Sequence, residues 1–480
     1  MNALSVPSTS DDIIRIILEA LRHSPDFTHH VLPIPEDSEI HFFYIESLVD
    51  KTRFDEFILQ PLMDSGTANE SLTSILATKL PGTFLQTLTN GEACIKSLLD
   101  GNIVILPRKE SIPFALDYSK IPSRNVSEPT IEVTTRGPKE GFTEDIKINL
   151  ALVRKRIKTC HLTFSQLSLG EETKTDVYLV YLSNLAKPEI IAEAQRRLAS
   201  IQTDSILDSS YIEEWIQDSP WTPFPQMYAT ERPDVVTAHL LEGSFAIMTS
   251  GTPGVLIGPV TFFQFFNAPE DYYERADIAT FIRLLRMISF LLAIFVPSVY
   301  IAAVTFHQEV IPVSLLISLS SQREGIPFPA FIEAIIMLIT FEILREAGLR
   351  MPRIAGQAIS IVGALVLGQS AVEAGLVSAS MVIVVSITAI ANFVAPTYSF
   401  GIAQRIVQFT FVVLAGIMGL YGITCGVLLL LSHLVSIRSF GMKYFAPLAP
   451  LNLKNLKDIV IRVPRPQMKR SRRFFSRRSE

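Results

Sequence analysis

Glu333 lies in an apolar stretch, 329–344, with no cation three or four positions away. A charge in such a helix costs about 2.5–3.5 kcal/mol on insertion scales unless it faces protein or water. Glu333 is therefore a candidate for an ion path or an inter-subunit hydrogen bond. Glu342 lies about half a turn out of phase with it and can reach Arg345 one turn on, so it reads as structural. A second set falls on the run 354–374, where Ala358, Val362, Leu365, Gln369 and Glu373 recur at steps of three and four and share one helix face. Gly363, Gly368 and Gly375 would let neighbouring helices come close. That face is a candidate pore lining, with Val362 as an apolar constriction and Gln369 and Glu373 as polar positions. The alternative is packing against sibling helices with the polar groups hydrogen-bonded. A third set is the tail, where Lys469, Arg470, Arg472, Arg473, Arg477 and Arg478 interleave with Phe474 and Phe475. Following a membrane helix, it fits anionic lipid headgroups better than nucleic acid.

The usual chemical signatures are missing. There is no His-Glu-x-x-His and no Gly-x-Ser-x-Gly, and the loop Arg136-Gly137-Pro138-Lys139-Glu140-Gly141 lacks the Gly-Lys-Ser/Thr ending of a phosphate cradle. His29-His30 reads as a Pro-flanked loop without nearby carboxylate or thiol partners. Cys94, Cys160 and Cys425 match no metal site and no disulfide framework. The expectation is a chain that is not an enzyme and holds no cofactor and no metal.

The elements that would position these residues divide the chain in two. With 480 residues, 48% of them apolar, it exceeds one ordinary domain. The net charge of −5 hides a basic tail on an otherwise acidic chain. The first residues lack the basic start and apolar run of a signal peptide, so the first half is expected to be cytoplasmic. That half reads as two small α/β subdomains. Residues 1–35 form a leader with an amphipathic helix near 11–22. The first subdomain, 36–160, has a strand at 40–45, a helix from 51, and a helix after Thr143, the expected cap, with Glu144 and Asp145 in its first turn. The second, 161–240, has a strand at 177–182 and helices at 188–200 and 211–217.

Residues 241–285 hold an uncharged stretch from Gly243 to Pro269 that is broken by Gly243, Gly251, Pro253, Gly254, Gly258 and Pro259, which predicts a hairpin or membrane-edge element rather than a spanning helix. An α-helical polytopic transmembrane domain then covers 286–435 with four to six segments: 287–306, 329–344, and three more in 354–372, 374–404 and 406–432. Residues 436–480 form the basic cytoplasmic tail. Five simple crossings would leave that tail outside, against the positive-inside rule. Either 354–376 is re-entrant or 310–321 also crosses.

Ser127-Glu128-Pro129 leading into Arg136 to Asp145, the basic helix Leu152 to Lys158, Thr230-Glu231-Arg232-Pro233-Asp234, Glu270-Asp271-Tyr272-Tyr273, Gly325-Ile326-Pro327-Phe328-Pro329, and Arg350-Met351-Pro352-Arg353 running into Gly356-Gln357-Ala358 follow one another along the chain. In that order they resemble the A subunit of the GerA family of spore germination receptors. The resemblance implies a nutrient-receptor subunit in the inner membrane of a dormant bacterial endospore, partnered by a transporter-like B subunit and a lipoprotein C subunit. It further implies a homo-oligomer of A subunits and a role in ligand-gated ion release. Thr249 and Ser250 stand before Gly251-Thr252-Pro253 where family members commonly carry an acid, which puts any role of that acid in doubt here. The alternatives are a self-contained secondary transporter, for which no repeat of interrupted hydrophobic helices is visible, and a germination-related paralogue outside any nutrient receptor.

Overall fold

The computed structural model describes residues 10–34, 38–60, 85–108, 112–119, 129, 132, 136–350, 368–451, 459–464 and 466. The chain forms two compact units, one built on residues up to 217 together with 227–260, the other on 218–226 and 261–469.

The first unit opens with α1 (Ser10–Leu21), β1 (Phe27–Ile34), β2 (Ser38–Ile45), α2 (Lys51–Phe54, continued as a wider π turn through Leu59), β3 (Leu85–Thr87), α3 (Gly91–Leu99), β4 (Asn102–Pro107) and β5 (Phe114–Asp117). Its strands pair antiparallel in the order β1-β2-β4-β5-β3. Alternation along β2 sends successive side chains to opposite faces of the sheet. Phe43 and Ile45 pack with Ile13, Ile17 and Leu21 of α1 and Cys94 and Leu98 of α3. Ile40, Phe42 and Tyr44 pack with Phe54 and Ile58 on the other face.

The same order of elements then recurs: α4 (Ile146–Arg156), β6 (Leu162–Leu169), β7 (Thr175–Leu182), α5 (Pro188–Ala199), an additional α6 (Ser209–Ile216), β8 (Tyr228–Thr230), α7 (Pro233–Glu242), β9 (Phe245–Thr249) and β10 (Val255–Gly258). These strands pair in the order β6-β7-β9-β10-β8, which is the first sheet's pattern repeated. The two-subdomain reading thus acquires a repeat and shifted borders. Helix 146–156, placed with the first subdomain, packs on α7 of the second. Residues 245–258, read as part of a broken element, form two fully buried strands, with their glycines and prolines in the turn and at the strand end. Thr143 is not the helix cap: Asp145 is, its side chain accepting from the Lys147 N–H at 2.9 Å, while Thr143 N–H donates to Asn149 at 2.8 Å. Glu144 and Asp145 therefore precede the first turn.

The second unit is helical: α8 (Ala276–Thr305), α9 (Val313–Arg323), α10 (Ala330–Arg350), α11 (Ala379–Phe393) and α12 (Tyr398–Ser436), followed by a small hairpin of β11 (Arg438–Ser439) and β12 (Met442–Lys443). α8 and α12 are each long and apolar enough to cross a membrane. α9, at 11 residues, is too short to do so. Arg405, read as a break between two spans, lies inside α12; the break is at Gly419, whose backbone (φ 59°, ψ −140°) only glycine adopts readily. There the chain doubles back. Gly422 and Gly426 of the second limb lie against Leu414 and Phe411 of the first, where a Cβ would collide. Phe224 meets Phe400 of the first limb and His433 of the second at ring distances of 6.5 and 6.3 Å, so both limbs return to one level.

Candidate functional site

Glu333 sits in the first turn of α10 with its side chain fully buried. Its Oε2 accepts from the backbone N–H of Ser378 at 2.8 Å and from the Ser378 hydroxyl at 2.9 Å. Ser378 is the cap of α11, and its oxygen also accepts from the Met381 N–H. The carboxylate thus rests on a helix N-terminus, where the macrodipole favours an anion. The sequence offered no neighbouring cation for Glu333, but folding supplies one: the Nε of Arg323, the last residue of α9, lies 3.3 Å from Oε1. Tyr300 of α8 donates or accepts with Ser380 at 2.8 Å, and Ser380 donates to Ser378. One carboxylate therefore joins α9, α10 and the N-terminus of α11, and Ser378 and Ser380 carry the link on to Tyr300 of α8.

Glu342 pairs with Arg345, as its spacing suggested, and also with Arg405, whose Nε is 3.5 Å away. Beside it Asn392 donates to Gln408 at 3.0 Å and accepts from Gln404 at 2.8 Å. These contacts fix the helix directions. α10 sets Phe331, near its start, against Gly416 and Glu342, three turns on, against Arg405, while α11 starts at Ser378 on Glu333 and ends at Asn392 on Gln404. Both run antiparallel to the first limb of α12.

Gln369 and Glu373 are exposed and bonded to one another at 2.9 Å. Val362 and the tail cations Lys469, Arg470, Arg472, Arg473, Arg477 and Arg478 lie outside the described residues. No contact of the described residues brings Glu373 to Glu333.

Two anchors escaped the reading of the sequence. Asp271, nearly fully buried, accepts from Arg283 at 3.2 Å and from Arg286 at 2.9 Å, which ties the segment before α8 to the helix itself. The spacing Asp-x11-Arg-x2-Arg spans a break in secondary structure, so helical periodicity does not reveal it. In the first unit, Arg154 of α4 has a fully buried side chain that grips Asp26 of the α1–β1 turn with Nε at 3.0 Å and Nη2 at 2.8 Å. Burial lowers its pKa while Asp26 opposes that shift. The sequence marks it only as part of the basic helix Leu152 to Lys158.

His29 and His30 are not in a loop but in β1, and the His29 ring meets His41 of β2 at 2.9 Å. His41 in turn lies 3.7 Å from Glu39. Burial, then the neighbouring histidines, lowers the His29 pKa, and burial is also the leading cause for His41, so both favour the neutral form. Among the described residues no three His, Cys, Asp or Glu side chains gather as a metal-ion site. The loop around Gly137 is held by Arg232, which donates to the Pro138 carbonyl at 3.0 Å and pairs with Asp234 at 2.8 Å.

Comparison with known proteins places these features. The model of the Bacillus/Clostridium GerA spore germination protein matches residues 15–474. Spore germination protein KA of Bacillus subtilis (strain 168) is 43% identical over 92% of this chain and 82% of its own length. Spore germination protein A1 of the same organism is 37% identical over 94% and 93%. An uncharacterized membrane protein of that organism, YfkQ, is 43% identical over 90% and 85%. A crystal structure of the N-terminal domain of the A subunit of the Bacillus megaterium spore germinant receptor GerK3 aligns over 55% of this chain and 99% of that one, at 30% identity and a TM-score of 0.43.

Proposed function

Because the chain belongs to the GerA family of spore germination proteins, we propose that it is the membrane subunit of a germinant receptor and couples nutrient sensing to ion release. Its partners are a transporter-like B subunit that recognises the nutrient, a lipoprotein C subunit and further copies of itself, in the inner membrane of the spore. The observation that carries the coupling is Glu333. A carboxylate buried between helices, set on the N-terminus of α11 and beside a cation from α9, holds three segments in one arrangement. Moving α9 would withdraw Arg323 and leave a charge that favours a second arrangement, which is the bistability that gating requires.

Helix directions support a topology in which both cytoplasmic flanks lie on one side. α8 and the first limb of α12 run one way, α10, α11 and the second limb the other. Counting 354–374 as a span between α10 and α11 gives an even number of crossings and keeps the basic tail inside, next to anionic lipid. In that span Val362 is the constriction, with Gln369 and Glu373 beside it.

The test is potassium release from spores. Glu333→Gln, which keeps the shape but removes the charge, should change nutrient-triggered release, and Val362→Ala should leak ions without nutrient. Normal release and normal dormancy at normal protein levels would remove both residues from an ion path. A purified protein that stays monomeric in mild detergent with its partners present would overturn the oligomer.

A further inference from the structure

Between α10, α11 and the first limb of α12 lies a cavity of about 210 Å³. Leu338, Phe341, Val385 and Ala389 give it an apolar wall. Its other wall carries Glu342, Arg345, Thr397 and Arg405. Among the described residues charge does not balance there, because two guanidinium groups share one carboxylate. Asn392 is already engaged with Gln404 and Gln408 and carries no charge to offset the surplus. Among the described residues, the Nε of Arg345 and the Oγ1 of Thr397 are buried and meet no hydrogen-bond partner. A surplus cation among apolar helices is costly until an anion reaches it, and donors of this kind lose their desolvation penalty only when an acceptor arrives.

We infer that this cavity binds an anionic amphiphile: a phosphate-bearing lipid whose headgroup sits on Arg345 and Arg405 and whose chain follows the apolar wall. Arginine forks suit phosphate oxygens geometrically. The mostly apolar lining, with Leu349 and Phe393 exposed at its rim, favours a lipid over a free anion. Basic pockets between membrane helices take such headgroups on the cytoplasmic side. The site requires only that the helical unit lies in a bilayer, and it stands whether or not the chain conducts ions.

The experiment uses the full-length protein, purified in detergent and stripped of lipid, with melting temperature read against added short-chain phosphatidylglycerol, phosphatidylcholine of equal chain length, or inorganic phosphate. Phosphatidylglycerol should stabilise at concentrations at least tenfold below those of phosphatidylcholine. Arg405→Gln should erase that preference, Arg405→Lys should keep most of it, and Thr397→Val should weaken it two- to threefold. Ala389→Phe fills the apolar wall with every charge intact, so it should also block binding and serves if the charge variant fails to fold. Equal shifts from the two lipids, or an unchanged preference in Ala389→Phe, would overturn the site. A matching shift from inorganic phosphate alone would overturn the amphiphile.

Discussion

In the first α/β module the turn from β3 into α3 is closed by Asn90, whose side chain accepts from the Ala93 N–H at 2.8 Å. At the matching turn from β8 into α7, Arg232 precedes Pro233 and its fully buried side chain reaches out to Asp234, Pro138 and Glu132. The topology is the same, and so is the left-handed glycine after the helix, Gly101 at φ 95° and Gly243 at φ 100°. What differs is the use of charge. The first module buries mostly apolar groups, whereas the second buries Arg154 and Arg232 and half-buries Glu132. A shared topology leaves open which module anchors neighbouring segments, and buried ion pairs decide it.

The sharpest way to break this comparison is at Arg154. Arg154→Leu leaves Asp26 buried without its partner and should destabilise the first unit by about 3–5 kcal/mol. Hydrogen exchange of the full-length protein would show protection lost in both modules, since the pair joins them. Loss confined to α4 would mean that the modules do not lean on each other.

Glu132 gives a smaller effect that depends on pH. Burial leads the causes that push its carboxyl up to about 7, against a hydrogen bond from Thr230 and the charge of Arg232. The folded state then holds a proton that the unfolded state has released, so this contribution is present below about pH 4.5 and is lost as pH rises toward 7. Glu132→Gln should flatten that slope, recovering on the order of 2 kcal/mol near neutrality. A slope unchanged in melting temperature between pH 5 and 7 would place the group elsewhere.

Gly101→Ala and Gly243→Ala should each cost about 1–2 kcal/mol, because both turns need a left-handed residue. Equal losses in thermal melts would sharpen the equivalence of the modules. Asn90→Ala should cost about 1 kcal/mol as a lost cap. It has no counterpart in the second module, where truncating Arg232 would instead free the Gly137 loop to exchange.

Much of the α/β half was legible. The strand at Phe42 and Phe43 and the helix from Pro188 follow from local pattern, since alternation and helical period record which face is buried. The repeat was also written in the chain. Tyr44-Ile45-x-x-Leu48 returns as Tyr181-Leu182-x-x-Leu185, and Leu98-Leu99-Asp100-Gly101 returns as Leu240-Leu241-Glu242-Gly243. It is hard to see because each match is short and the spacing long. The run from Gly243 misled because a strand buried on both faces and a membrane segment are equally apolar; only pairing distinguishes them.

The amino-acid order alone determined the long apolar helix that ends near Phe306 and that Glu342 would find Arg345, for these depend on neighbours within a turn or two. Tertiary structure decided the partners of Glu333, the grip of Arg154 on Asp26, the reversal at Gly419 and the surplus charge between Arg345 and Arg405. The physical reason is range. A buried charge is stabilised by whichever groups the folded chain brings within a few ångströms, and local pattern carries no record of them.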